Sequence, residues 1–222
     1  MEINAIITGS TGMVGKAVLL ECLDHPKVKS VLVINRKTIG VEHPKLKEII
    51  HADFFDLSPI VTELKGYNAC FFCLGVSSMG LSEEQYHKYT YDLTIHFAEV
   101  VATANPAMTF NYVSGAGTDS SEKGKVMWAR VKGKTENKLI TLYKDVYLFR
   151  PGAILPEKGV KSKVKAYNAI YVVLRPFFPL LKKMNSITTS SRVGQAMINS
   201  VLKGYKQKHL ENAEINNLAK LN

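Results

Sequence analysis

The chain has 222 residues, of which 46% are hydrophobic and 22% charged, the balance of a soluble globular protein and not of a disordered one. Its length suits one domain, expected over 1–222 with a dinucleotide-binding core at 1–155 and a substrate-side part at 156–222 packed on it. The longest apolar candidate, Ala169 to Leu181, is broken by Arg175, Pro176 and Pro179, which excludes it as a membrane span. The opening MEINAIITGS lacks the basic start and long apolar run of a secretion signal, so a cytoplasmic protein is expected. The net charge of +10 is concentrated: eleven Lys and Arg between Pro156 and Lys208 face one acid, Glu157. That asymmetry points to an anionic surface or a protein partner at 156–208, or to a solvated lysine-rich face.

In chain order, Ile3 to Thr8 reads as a strand, Val14 to Leu23 as a helix, and Ser30 to Asn35 and Leu46 to Ala52 as strands two and three. Asn68 to Leu74 is the fourth strand. A long helix follows from about Ser82 to Ala104, opened by a capping box, Ser82-x-x-Gln85. Met108 to Val113 is the fifth strand, Lys123 to Tyr143 a helix, Val146 to Arg150 the sixth strand, and Thr188 to Leu202 a closing helix. The strands are apolar almost throughout, as expected when helices cover both faces of a parallel sheet. The rhythm predicts an α/β fold: a doubly wound, mostly parallel Rossmann sheet with helices on both faces and a small C-terminal substrate-side lobe.

Three cysteines are too few for a disulfide framework. Cys70 and Cys73 form a C-x-x-C inside the fourth strand, where residues three apart point to opposite faces, so they read as structural thiols. The six histidines show no metal-ligand spacing, and no metal site is expected.

The run Gly9-Ser10-Thr11-Gly12-Met13-Val14-Gly15 joins the first strand to the first helix. Glycines there allow a tight turn and close approach of a pyrophosphate, and the helix N-terminus offers free N–H groups to it. The second strand ends in Asn35-Arg36-Lys37. An acid at this position would accept from a ribose 2′-hydroxyl, whereas Arg36 suits a 2′-phosphate, so NADP(H) is expected over NAD(H). Asp53 lies where a carboxylate can accept from the adenine amino group, and Gly75 where the backbone can approach the cofactor. The expected cofactor residues are Gly9, Ser10, Thr11, Gly12, Met13, Val14, Arg36, Asp53, Phe54, Leu74, Gly75, Lys132, Pro151 and Gly152.

These segments resemble the short-chain dehydrogenase/reductase superfamily in its extended and atypical branches. The likeness continues through Tyr112-Val113-Ser114-Gly115-Ala116-Gly117, Val131-Lys132-Gly133-Lys134, Phe149-Arg150-Pro151-Gly152 and Glu211-Asn212-Ala213-Glu214-Ile215. It is similar there to the atypical group that includes the Tat-interacting oxidoreductase-like protein. The resemblance implies Ser114 and Lys132 as catalytic residues, with a tyrosine one helical turn before the lysine to carry the proton. Here that position is Trp128. An indole N–H donates a hydrogen bond but is no acid or base near neutral pH.

Three readings follow. One is an oxidoreductase acting on a small apolar carbonyl or alcohol, its proton supplied by another group or by water, with Tyr86, Tyr89 and Tyr91 as candidates. The second is a non-enzymatic NADP(H) sensor acting through partners. The third places the basic stretch on an anionic membrane, the role also open to the apolar-aromatic segment Val164 to Met184. No nucleic-acid motif accompanies the lysines, so nucleic acid is not expected as a partner.

Overall fold

The computed structural model describes residues 1–160, 171 and 173–221. Seven strands form one parallel sheet: β1 (Ile3–Thr8), β2 (Val28–Asn35), β3 (Leu46–Ile50), β4 (Ala69–Phe72), β5 (Thr109–Val113), β6 (Val146–Phe149) and β9 (His209–Leu210), in the spatial order β3-β2-β1-β4-β5-β6-β9. Each strand serves both faces through its period of two. Ile3, Ala5 and Ile7 of β1 enter one apolar cluster while Ile6 enters the other. Cys70 packs on one face and Cys73 on the other, as the strand period requires.

On the first face the sheet is covered by α1 (Met13–Asp24), α6 (Ser190–Lys203) and α7 (Asn212–Ala219). On the second it is covered by α3 (Leu93–Ala104), α4 (Met127–Leu142) and a 3-10 turn at Ser58–Leu64. Helix α1 lies so close to α6 that a side chain on Gly194 would meet Glu21 Cγ at 2.7 Å. The sequence from 190 onward, read above as substrate-side, thus supplies core to the sheet layer itself.

Boundaries shifted where side chains compete for backbone partners. The helix expected from Lys123 begins at Met127, because Asp119 gathers Ser121 N (3.0 Å), Ser121 Oγ (2.6 Å) and Gly124 N (2.7 Å) into a turn. The helix expected from Thr188 begins at Ser190, with the Thr189 hydroxyl accepting from Arg192 N at 3.2 Å. The long helix after Ser82 is α2 (Glu83–His87), a π-turn at Lys88–Asp92 and α3 in succession. Its capping box is present in both directions. A two-stranded parallel sheet, β7 (Ala153–Leu155) with β8 (Ile187–Thr189), and the one-turn α5 (Phe178–Leu181) lie beyond the sequence expectation.

Candidate functional site

The residues assigned to a cofactor converge on the carboxyl edge of the sheet. Gly9 to Val14 follow β1, Arg36 follows β2, and Asp53 and Phe54 follow β3. Leu74 and Gly75 follow β4, Ser114 follows β5, Pro151 and Gly152 follow β6, and Lys132 reaches in from α4. Strand β1 lies between β2 and β4, so the chain reverses its direction across the sheet at this point, where open α/β sheets bind their ligands.

The turn after β1 is built by steric necessity. Gly9 has φ +69°, and a Cβ on it would stand 2.5 Å from the Cys73 carbonyl oxygen. A Cβ on Gly15 would overlap the Gly9 carbonyl, so the first helix can pack this closely only without one. Gly12 N donates to Gly9 O at 2.9 Å and closes the turn. No side chain caps α1. Its first-turn amides are therefore donors for a phosphate, and this donor set fits a dinucleotide. Beside the turn, Leu74 N donates to Thr8 Oγ1 at 3.3 Å.

At the end of β2, Asn35 is buried and its Oδ1 accepts from Ser10 Oγ at 2.9 Å. Arg36 is exposed and has no hydrogen-bond or ion-pair partner among the described residues. An unpartnered guanidinium in this place fits an anionic group on the ribose. Asp53 already accepts from Phe55 N at 2.8 Å through one oxygen. The ring of Phe54 is buried 5.9 Å from that of Phe97, so the part of it that faces this edge is its backbone. Gly75 is open, and a Cβ on it would meet nothing within 4 Å.

Lys132 Nζ donates to the carbonyl oxygen of Ser114. Burial pushes its ammonium down to about 8, against the opposing pull of the Glu136 charge. Trp128 is half-buried one turn earlier, its ring 3.5 Å from where a Cβ on Gly117 would stand. Both side chains therefore lean on the loop that follows β5. Ser114 Oγ is turned away from this loop's open side. It lies 2.5 Å from Glu136 Oε1 and 3.2 Å from Phe149 O.

Glu136, Arg150 and Asn212 are the residues that sequence reading missed as parts of the site. Glu136 is fully buried, and Arg150 Nε lies 3.1 Å from each of its oxygens, with a further bond from the Arg150 terminal nitrogen. The signal was present in the spacing: Lys132 and Glu136 are four apart, hence on one face of α4. Asn212 accepts from Gly152 N at 3.1 Å and donates to Ser186 O at 2.6 Å, which fixes the loop after β6.

Of the tyrosines named as alternative proton carriers, Tyr89 is exposed. Tyr86 is buried, and Tyr91 lies against His87 with Lys134 Nζ 4.7 Å above its ring. Part of the basic stretch serves internal ties. Lys158 holds Glu21 and Asp24, each at 2.8 Å, Lys182 pairs with Glu157, and Arg192 donates to Lys182 O at 3.0 Å. Lys161, Lys163 and Lys165 lie outside the described residues, as does most of the segment from Val164 to Val172.

Comparison with known proteins agrees with this geometry. The profile of the NAD dependent epimerase/dehydratase family matches residues 5–215. Among solved structures, the Helicobacter pylori ADP-L-glycero-D-manno-heptose-6-epimerase superposes with a TM-score of 0.69, at 17% identity over 99% of this chain and 81% of its own. The Bordetella bronchiseptica enzyme WbmF in complex with NAD+ gives a TM-score of 0.69, at 14% identity over 98% of this chain and 76% of its own. At such identities the likeness is one of fold.

Among curated relatives, protein FMP52, mitochondrial, of Meyerozyma guilliermondii is 26% identical over 157 residues, 70% of this chain and 66% of its own length. The protein of the same name from Eremothecium gossypii is 26% identical over 227 residues, 98% of this chain and 97% of its own. The cytoplasmic expectation is overturned by these names, which place the relatives in the mitochondrion; a missing secretion signal assigns no compartment. The parallel sheet, the glycine turn at its switch point and the match over residues 5–215 establish that the chain belongs to the NAD dependent epimerase/dehydratase family, within the extended short-chain dehydrogenase/reductase superfamily.

Proposed function

We propose that this protein binds NADP(H) in preference to NAD(H), and that it is a weak reductase of ordinary carbonyls or none at all. The observation that carries the reading is the division within the site. The parts that would hold a dinucleotide are present: the glycine turn, the start of α1 without a side-chain cap, Arg36 without a partner among the described residues, and the inward-reaching Lys132. The part that moves a proton is replaced, with Trp128 standing where a phenol is needed and the Ser114 hydroxyl engaged by Glu136. A bound nicotinamide would give or take a hydride here. Lys132 holds the ribose, and Arg36 meets the 2′-phosphate through a charge-assisted contact. In this form the protein reports cofactor state to a partner. The outward-facing Val173, Phe177, Leu180 and Met184, with Arg175 and Lys183, offer a protein or an anionic membrane its point of contact.

A second reading is favoured by one observation. An ammonium brought down to about 8 can itself deliver a proton near neutral pH, so Lys132 could serve a small apolar carbonyl or alcohol in the phenol's stead. Following NADPH oxidation with aldehydes, ketones and quinones separates the two. The first reading expects turnover slower by about 10²–10⁴ than a phenol-assisted reaction gives, with a gain in Trp128→Tyr. Brisk wild-type turnover, abolished in Lys132→Arg while NADPH still binds, would establish the second.

A further inference from the structure

Glu48, on β3, is not among the residues that a dinucleotide-binding pattern marks. Its carboxylate nevertheless organises the end of β2. Oε1 accepts from Asn35 Nδ2 at 3.0 Å and from Ile39 N at 3.1 Å, and Oε2 accepts from Thr38 Oγ1 at 2.7 Å. Thr38 Oγ1 in turn accepts from Gly40 N at 3.2 Å. On its other side Asn35 receives Ser10 Oγ at 2.9 Å. A continuous chain of hydrogen bonds thus runs from the glycine turn through Asn35 and Glu48 into the loop after β2.

At the β2 end Asn35 Oδ1 and the Glu48 carboxylate both accept from chain donors. Burial alone would raise the Glu48 carboxyl, but the bonds from Thr38, Asn35 and Ile39 outweigh it and hold it below the usual range. Between the anchored Asn35 and the anchored Thr38 stand Arg36 and Lys37, both exposed and without partners among the described residues. A two-residue span fixed at both ends has a restrained backbone, which holds the two positions from which these cations project.

We propose that Glu48 is the positioning residue for cofactor choice: by accepting from Asn35, Thr38 and Ile39 it fixes the stretch of backbone from which Arg36 and Lys37 meet a 2′-phosphate. This rests on the NADP(H) reading above. Lys37 joins Arg36 in the phosphate contact.

The test is equilibrium titration of the full chain with NADPH and with NADH. Wild type, Glu48→Ala, Glu48→Gln and Arg36→Ala are compared, together with the Arg36→Ala/Glu48→Ala double variant. Glu48→Ala is expected to weaken NADPH by about tenfold, one or two hydrogen bonds' worth, and to leave NADH unchanged or tighter. Glu48→Gln, which keeps an acceptor oxygen, should retain most of the NADPH affinity. In the Arg36→Ala background, Glu48→Ala should cost little more, because the two act on one contact. If Glu48→Ala fails to fold, Thr38→Val removes one anchor at the surface and should shift the same ratio in the same direction. Equal loss of both cofactors, or full additivity with Arg36→Ala, would reduce Glu48 to a structural residue and overturn the proposal while leaving NADP(H) choice intact. Equal wild-type affinities would overturn the NADP(H) reading, and this one with it.

Discussion

Ser114 Oγ lies 2.5 Å from Glu136 Oε1, and through this bond a fully buried carboxylate holds the hydroxyl expected to face a substrate. Arg150 closes the other side of Glu136 through three contacts. With Ser114 the pair joins α4 to the ends of β5 and β6, and Lys132 leans on the loop after β5.

Removing Glu136 is therefore a stability experiment first. Glu136→Ala leaves the Arg150 guanidinium without its buried partner and is expected to cost about 3–5 kcal/mol. Urea unfolding of wild type and variant, compared at the same slope, measures it. A loss below about 1 kcal/mol, the worth of a surface pair, would show the network to be incidental.

Lys132 gives a pH dependence with a definite sign. Its ammonium titrates near 8 in the folded protein, below the ordinary lysine value. Between pH 8 and the ordinary value near 10.4, the unfolded chain holds the extra proton, so the contribution of this group to stability rises with pH across that window. Cofactor binding runs the other way. The charged ammonium is the stronger hydrogen-bond donor to the ribose, so affinity should fall as pH rises through about 8. In Lys132→Arg the guanidinium stays charged, and the profile should flatten. A profile unchanged in Lys132→Arg would place the titrating group elsewhere.

Gly133 couples the site to its loop. A Cβ on it would overlap the Asp119 carbonyl oxygen, and Gly133 directly follows Lys132. Gly133→Ala must push α4 away from the 119–120 turn. It is expected to cost about 1–3 kcal/mol, as overpacking does, and to weaken NADPH binding by displacing Lys132. Thermal unfolding and a cofactor titration check both parts. Unaltered cofactor affinity would show that Lys132 adjusts independently of the helix.

The sheet was legible in the sequence because its strands are long apolar runs between helices of ordinary length. The glycine turn was legible because steric demands leave only glycine at positions 9 and 15. The short β7, β8 and β9 were not, since two or three residues carry no period. Likewise, α4 began late because a side-chain carboxylate, Asp119, won the amides that its first turn was expected to use. At the site, Trp128 and Lys132 were marked by the family resemblance, whose pattern sets the two one helical turn apart. The inward turn of Ser114 could not be read, because it depends on Glu136 and Arg150 meeting from different elements. The burial of the Phe54 ring was likewise not legible, because it depends on Phe97 from a distant part of the chain.

The central claim, that the carboxyl edge of this sheet selects a 2′-phosphorylated dinucleotide through Arg36, is tested most directly by titrating wild type and Arg36→Ala with NADPH and NADH under one buffer. A charge-assisted contact of about 1.5–3 kcal/mol corresponds to a roughly 10- to 150-fold preference. The account predicts a preference of that size for NADPH in wild type and its loss in Arg36→Ala, with NADH affinity nearly unchanged. Equal affinities in wild type, or a preference for NADPH that survives in Arg36→Ala, would contradict it.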